Sequence, residues 1–434
     1  MNISISRPDA QNVITQLLNS PIAPGAYSHF INVGTDPILN SLETNYFRGA
    51  LADGISCFKY LEGDYGSGKT QFIWSLMQKA HENDIVPSLV SISKECPFNS
   101  QLAIFRAVLG NFLPSNDGLG LNSENRGIEI LIHNWIVRKL RSMGMQPGQQ
   151  VPDMVRRQVE RAFTDLWLGA PDQQMAGALA GLGKRLLDQE CDAVPAVLDR
   201  ELIEWVRGDT VRSRGLRDTY GLYEPARDEN AFKRLKTVIG FLRSRMGYRG
   251  FFVAFDEGTR TASFRRGSVQ QRQAIENMLT MINDNADGQF GGVMFMYAAT
   301  PDFRSDIISR SYTALNDRIG SVAFSPGSPM VPLIDLEKQN SDVVTRQIGE
   351  RLMDVFEVAR DLRWDREIQN TNMEYLIAAQ KQVLVLLDKV PPRVFVYQYC
   401  RFLSQQEQNQ QLISEADATA FVQGHELPER EDGA

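Results

Sequence analysis

Residues 58–70 read Phe58-Lys59-Tyr60-Leu61-Glu62-Gly63-Asp64-Tyr65-Gly66-Ser67-Gly68-Lys69-Thr70, an apolar run that breaks into glycines and closes on Lys-Thr. The last eight residues follow the pattern G-x-x-x-x-G-K-T. Glycines let the backbone curl until several N–H groups point at one anion, and a following helix turns the positive end of its dipole to the same place. Lys69 then reaches the β- and γ-phosphates, and the Thr70 hydroxyl can ligate magnesium. Spacing predicts a strand over 56–62 and a helix over 71–82, the order this loop needs. Gly63, Asp64, Tyr65, Gly66, Ser67, Gly68, Lys69 and Thr70 are therefore the candidate nucleotide-binding residues.

Further strands are expected downstream. Val86 to Ser93 reads as a second buried strand, followed by a helix over 101–112. Phe251-Phe252-Val253-Ala254-Phe255 and the run from Gly292 to Ala299 are continuous apolar stretches, as in parallel strands covered on both faces. The first of these ends in Asp256-Glu257. Asp256 is placed to hold magnesium through its water shell, and Glu257 to orient and polarise an attacking water. Such a pair argues for hydrolysis rather than phosphoryl transfer to a small acceptor. The second run ends in Thr300-Pro301, putting a hydroxyl at the carboxyl end of a strand, where ligands of open α/β sheets collect. Arg318 follows the next helix and is the candidate for a charge donated to a neighbouring subunit's transition state, with Arg304 and Arg310 as rivals. Arg393, in Val390-Pro391-Pro392-Arg393, opens a late helix from which it can reach the γ-phosphate.

Between about Pro114 and Asn230 the spacing is helical, as in 128–143, 154–168 and 196–206, with no convincing strand. The Gly/Ala stretch 169–183 reads as a flexible joint or a close helix crossing. A helix over 232–245 precedes the third strand, and beyond Pro332 the chain again reads as helical, over 342–359, 370–387 and 392–405. The expected organisation is an N-terminal arm (1–45), a nucleotide-binding core (46–113 and 231–332), a helical insertion (114–230), a helical lid (333–412) and an acidic, flexible tail (413–434). The fold class is α/β: a P-loop NTPase parallel sheet with a long helical insertion and a C-terminal helical lid.

The chain has 434 residues, 43% hydrophobic and 23% charged, ordinary for a globular protein. No apolar run approaches the ~20 residues a membrane helix needs, and the opening MNISISRPDA lacks the basic and apolar regions of a signal peptide. The expectation is a cytoplasmic protein with no membrane partner. Four cysteines (Cys57, Cys96, Cys191, Cys400) and four histidines are scattered, giving little support for a zinc, redox or histidine-metal site. Net charge is −7 and pI about 5.4, so the whole surface does not advertise nucleic-acid binding. Two local basic stretches read as loops: Arg260 to Gly267, with Arg272 on the helix that follows, and Arg212 to Arg217.

Loop, Asp-Glu strand, polar strand end, finger arginine and late Pro-Arg, in this order, resemble an AAA+ P-loop ATPase of the origin-recognition and STAND-like branch. More closely, the chain resembles the BrxD-type ATP-binding proteins of bacterial BREX phage-defence systems. The supporting stretches are 30–34, 58–70, 253–257, 298–301 (AATP) and Pro392-Arg393. The resemblance implies ATP and Mg2+ as cofactors, with Lys69 and Thr70 at phosphates and metal, and Asp256 and Glu257 at magnesium and water. It also implies Thr300 as sensor, Arg318 as trans finger and Arg393 as lid sensor. The expected protein is a homo-oligomeric ATPase that couples ATP binding and hydrolysis to assembly and to DNA-associated remodelling or partner loading. Its expected partners are other defence subunits, such as a helicase, and double-stranded DNA. The alternative is an ATP-gated adaptor that turns over little. The insertion carries no motif to assign its partner.

Overall fold

A computed structural model describes residues 4–20, 22–114, 121, 125–146, 149–191, 197–211, 213–257, 267–383, 389–425 and 427. Five parallel strands, β1 (Cys57–Glu62), β2 (Ile85–Ser91), β3 (Gly250–Asp256), β4 (Val293–Ala299) and β5 (Leu333–Asp335), form one sheet in the order β2-β3-β4-β1-β5. The fold is thus the expected α/β, P-loop NTPase-like class. Ile85 pairs with Gly250 and Ser91 with Asp256, while Phe251 pairs with Val293 and Phe255 with Tyr297. Every residue of β3 and β4 is buried. A strand with both faces covered has no solvent side to alternate toward, which is why these two read as unbroken apolar runs.

The chain divides into two compact units, and the division passes through β1. The first comprises Met1–Ser41, Leu61–Gln78 and Val322–Ala434. Its core joins Ala10, Val13, Ile14 and Leu17 of helix Arg7–Asn19 to Leu352 and Phe356 of helix Asp342–Arg360, Leu403 of helix Pro392–Gln406 and Val422 of helix Glu415–Gly424. Three of these four helices start where a hydroxyl can replace a missing backbone partner: Ser6 accepts from Asp9 N–H, Ser341 accepts from Val344 N–H, and Ser414 with Asp417 forms a capping box. The flexible reading of 413–434 therefore fails at Glu415–Gly424, whose Ala418 and Val422 are buried; residues 426 and 428–434 lie outside the described residues. The wholly helical reading beyond Pro332 is also corrected, because Leu333-Ile334-Asp335 is a strand.

The second unit comprises Leu42–Tyr60 and Lys79–Ser321. Its aromatic core packs Phe98 edge-on against Phe255 of β3 and Tyr297 of β4, ring centres 5.0 Å apart in both pairs. Between 114 and 230 the described residues hold helices and no strand. The stretch 169–183 is not a joint: Gln173–Glu190 is one helix, begun by Asp172 accepting from Met175 N–H. Its glycines are crossing points. A Cβ on Gly183 would lie 2.2 Å from the Phe163 ring, and one on Gly181 2.5 Å from Tyr220. The expected helix over 154–168 stops at Phe163, and the expected basic loop at 212–217 is helical from Arg214, because Ser213 caps Arg214–Tyr220. Among the described residues no helix is long and apolar enough to cross a membrane.

Candidate nucleotide-binding site

In the first unit the loop runs from Gly63 into helix Lys69–Glu82. Gly66 and Gly68 stand at φ 81° and 98°, where any other L-residue is strained. Gly63 is required by proximity: a Cβ there would lie 2.4 Å from Ser67 Oγ and 3.3 Å from Leu336 Cβ. Lys69 Nζ donates to the carbonyls of Gly63 (2.8 Å) and Asp64 (2.9 Å), folding the ammonium onto its own loop. The Ser67 hydroxyl is buried with no hydrogen-bond partner among the described residues. Thr70 occupies the first turn of the helix. A curled backbone, a lysine inside it and an unsatisfied buried hydroxyl fit a phosphate group.

Arg393, in the first turn of Pro392–Gln406, lies on this loop. Its Nη1 donates to Tyr65 Oη at 2.8 Å, its guanidinium carbon is 5.2 Å from the Tyr65 ring centre, and its backbone N–H donates to the Gly66 carbonyl at 3.3 Å. Its Nε is buried with no hydrogen-bond partner among the described residues. Pro392 at the start of the helix supplies the helical φ without an N–H to satisfy, so the arginine leaves a rigid base.

In the second unit Asp256 ends β3, buried to 5% exposure. Its Oδ1 accepts the Glu257 N–H at 2.8 Å, and its carbonyl accepts the Ile92 N–H at 3.0 Å. Glu257 stands at φ 58°, the left-handed region that a non-glycine residue occupies at a cost and that is concentrated at functional positions. Thr300 follows β4 directly, its carbonyl accepting from Phe303 N–H at 3.1 Å. The three candidate finger arginines separate clearly. Arg304 donates to the Gly320 carbonyl at 2.6 Å, and Arg310 pairs with Asp306 at 3.1 Å. Arg318, in helix Thr313–Ile319, is exposed and its side chain has no partner among the described residues. No group of three or more His, Cys, Asp or Glu side chains that could hold a metal occurs among the described residues.

The family model of the BREX system ATP-binding protein BrxC/D matches residues 5–420. The chain belongs to this family. No curated protein and no solved structure matches it. As a BREX ATP-binding protein it takes ATP as ligand and belongs to a defence system that has other subunits. Asp256, Glu257, Thr300 and Arg318 lie in the second unit, and the loop and Arg393 in the first.

Sequence reasoning missed Glu337. This carboxylate accepts the Asp64 N–H at 2.8 Å and is itself positioned by its own N–H donating to Asp335 Oδ1 at 3.0 Å. The neighbouring Leu336 N–H donates to the Glu62 carbonyl at 2.9 Å. Residues 335–337 thus brace the loop from just beyond β5. Tyr65, a candidate nucleotide-binding residue from the loop pattern, is the residue that Arg393 grips. Of the basic stretch after Glu257, residues 260–266 lie outside the described residues, and Arg272 is exposed on helix Val269–Ala286.

Proposed function

We propose that this BREX protein is a magnesium-dependent ATPase that couples ATP binding and hydrolysis to homo-oligomer assembly and to DNA-associated remodelling or partner loading. The observation that carries the reading is Arg393 on the phosphate loop. Its guanidinium donates to a neutral phenol, and a phosphate oxygen is the stronger acceptor for the same donor. Exchange of one for the other ties the helix of Arg393 to the state of the nucleotide.

The remaining roles follow from chemistry. Lys69 and the loop N–H groups bind the phosphates, and Thr70 and Asp256 hold the metal. Magnesium, when bound, neutralises phosphate charge for in-line attack. Glu257 polarises the attacking water, and the Thr300 hydroxyl orients it. Arg318, the one candidate finger that is exposed and unengaged among the described residues, supplies charge to a neighbouring subunit's site.

Arg393 also favours a second reading. The same exchange could gate docking of a partner enzyme with little turnover. ATPase rate and sedimentation, measured with and without double-stranded DNA, separate the two. Turnover that rises with DNA and with assembly, and that is restored when the inactive Arg318→Ala and Glu257→Gln subunits are mixed, supports the motor. ATP-dependent assembly without appreciable turnover, unresponsive to DNA, supports the switch.

A further inference from the structure

The second unit carries a cleft of ≈460 Å3 lined by Trp135, Arg138, Lys139, Tyr248, Arg249 and Asp84, among others. It lies where β2 and β3 begin, since Asp84 precedes Ile85 and Arg249 precedes Gly250. Asp256 is at the other end of β3. Trp135, Arg138, Lys139 and Ser142 occupy positions i, i+3, i+4 and i+7 of helix Ile128–Ser142, one face of the insertion. The walls are built. Trp135 Nε1 donates to the Met246 carbonyl at 2.8 Å, Arg138 donates to Tyr248 Oη at 3.0 Å, and that hydroxyl donates to the Leu131 carbonyl at 3.2 Å. Arg249 and Lys139 are exposed.

Basic residues in a last helical turn often do no more than offset the helix dipole, here at the ends of Ile128–Ser142 and Asp228–Met246. Each end carries roughly half a negative charge. Against these ends and Asp84, the three lining cations Arg138, Lys139 and Arg249 leave about one positive charge in excess, so the cleft is positive on a chain whose net charge is −7. A positive cleft with an indole wall suits a phosphodiester beside an unpaired base. Its volume falls in the range of about 300–1,000 Å3 typical of small-molecule sites. A duplex would leave the indole unused, because its bases are stacked inside.

We propose that this cleft binds single-stranded nucleic acid, with phosphates on Arg138, Lys139 and Arg249 and a base against Trp135. The contact adds to the DNA part of the function proposed above and does not rest on turnover.

The test is anisotropy of a fluorescein-labelled single-stranded oligonucleotide, titrated without ATP at several salt concentrations. Lys139→Glu combined with Arg249→Glu alters only exposed side chains. It is expected to raise Kd about tenfold or more and to flatten the salt slope by ~1.4. Trp135→Leu should weaken binding about fivefold or more, from the loss of one stacked base. Arg200→Glu, an exposed control elsewhere on the unit, should change Kd less than about twofold. An unchanged Kd in the double variant overturns the proposal, as does equal affinity for a duplex of the same sequence. Lys69→Ala separates the two readings. Loss of ATP turnover with oligonucleotide binding intact keeps the cleft as a site of its own, and loss of both removes it.

Discussion

Arg393 touches the loop through side chain and backbone at once, so replacing it tests whether the late helix reads the nucleotide. A hydrogen bond from a charged group contributes about 1.5–3 kcal/mol, and each 1.4 kcal/mol is a tenfold change in affinity. Arg393→Ala should therefore weaken binding of a non-hydrolysable ATP analogue roughly 10- to 100-fold by calorimetry. Arg393→Lys, which keeps the charge without the planar fork, should fall between. Unchanged affinity would make the arginine a strut. Glu257→Gln tests the other half of the chemistry: loss of general-base action should lower kcat about 10²- to 10⁴-fold, with analogue affinity held within about threefold. The loop, both acids and Arg393 stand out as candidates in the sequence because each sits in a short local pattern. Glu337 was not, because its partner Asp64 lies 273 residues away and no local pattern records such a pairing.

Elements were legible in proportion to their length. β3 and β4 each show seven buried residues in a row, and a run of that kind excludes a surface element. Three residues at Leu333–Asp335 carry no measurable period, so β5 was absorbed into the helices that follow. The Gly/Ala stretch admitted two meanings, because glycine both loosens a chain and allows another side chain close. Close packing decides between them at Gly183. Alanine there would gain up to ~1 kcal/mol of helix propensity. It would also set a methyl 2.2 Å from the Phe163 ring, and overpacking of a filled core costs about 1–3 kcal/mol. Gly183→Ala should be net destabilising in urea melts, whereas alanine at Gly240, where a Cβ meets nothing within 4 Å, should stabilise. At the start of helix Asp342–Arg360, Ser341→Ala should cost about 1 kcal/mol through loss of its cap to Val344 N–H.

For the molecule as a whole, buried titratable groups shape stability in mild alkali. Burial pushes the Lys59 ammonium down to about 8, although it donates to Tyr46 Oη at 2.7 Å. Burial pushes the Cys57 and Cys400 thiols up to about 12 and the Cys96 thiol up to about 11. From pH 8 upward the unfolded chain keeps a proton that folded Lys59 has released, so stability rises with pH. Above the ordinary thiol value of 9.0 the unfolded cysteines lose protons that the folded ones retain, and stability falls. Thermal melts should therefore peak near pH 9. Lys59→Met should abolish the rise below that peak and stabilise at neutral pH by about 1–3 kcal/mol. The sequence shows Lys59 only as a charge in an apolar run, since burial depends on what covers β1. The first unit's core has a consequence for synthesis. Gln11 Nε2 donates to the Ala359 carbonyl and Arg401 Nη2 to the Leu18 carbonyl, and Val13 and Leu17 share a core with Val422. A ribosome adding about 5–20 residues per second takes on the order of 20–80 s to bridge that interval. Helix Arg7–Asn19 thus waits, with its apolar face uncovered, until helix Glu415–Gly424 has been made.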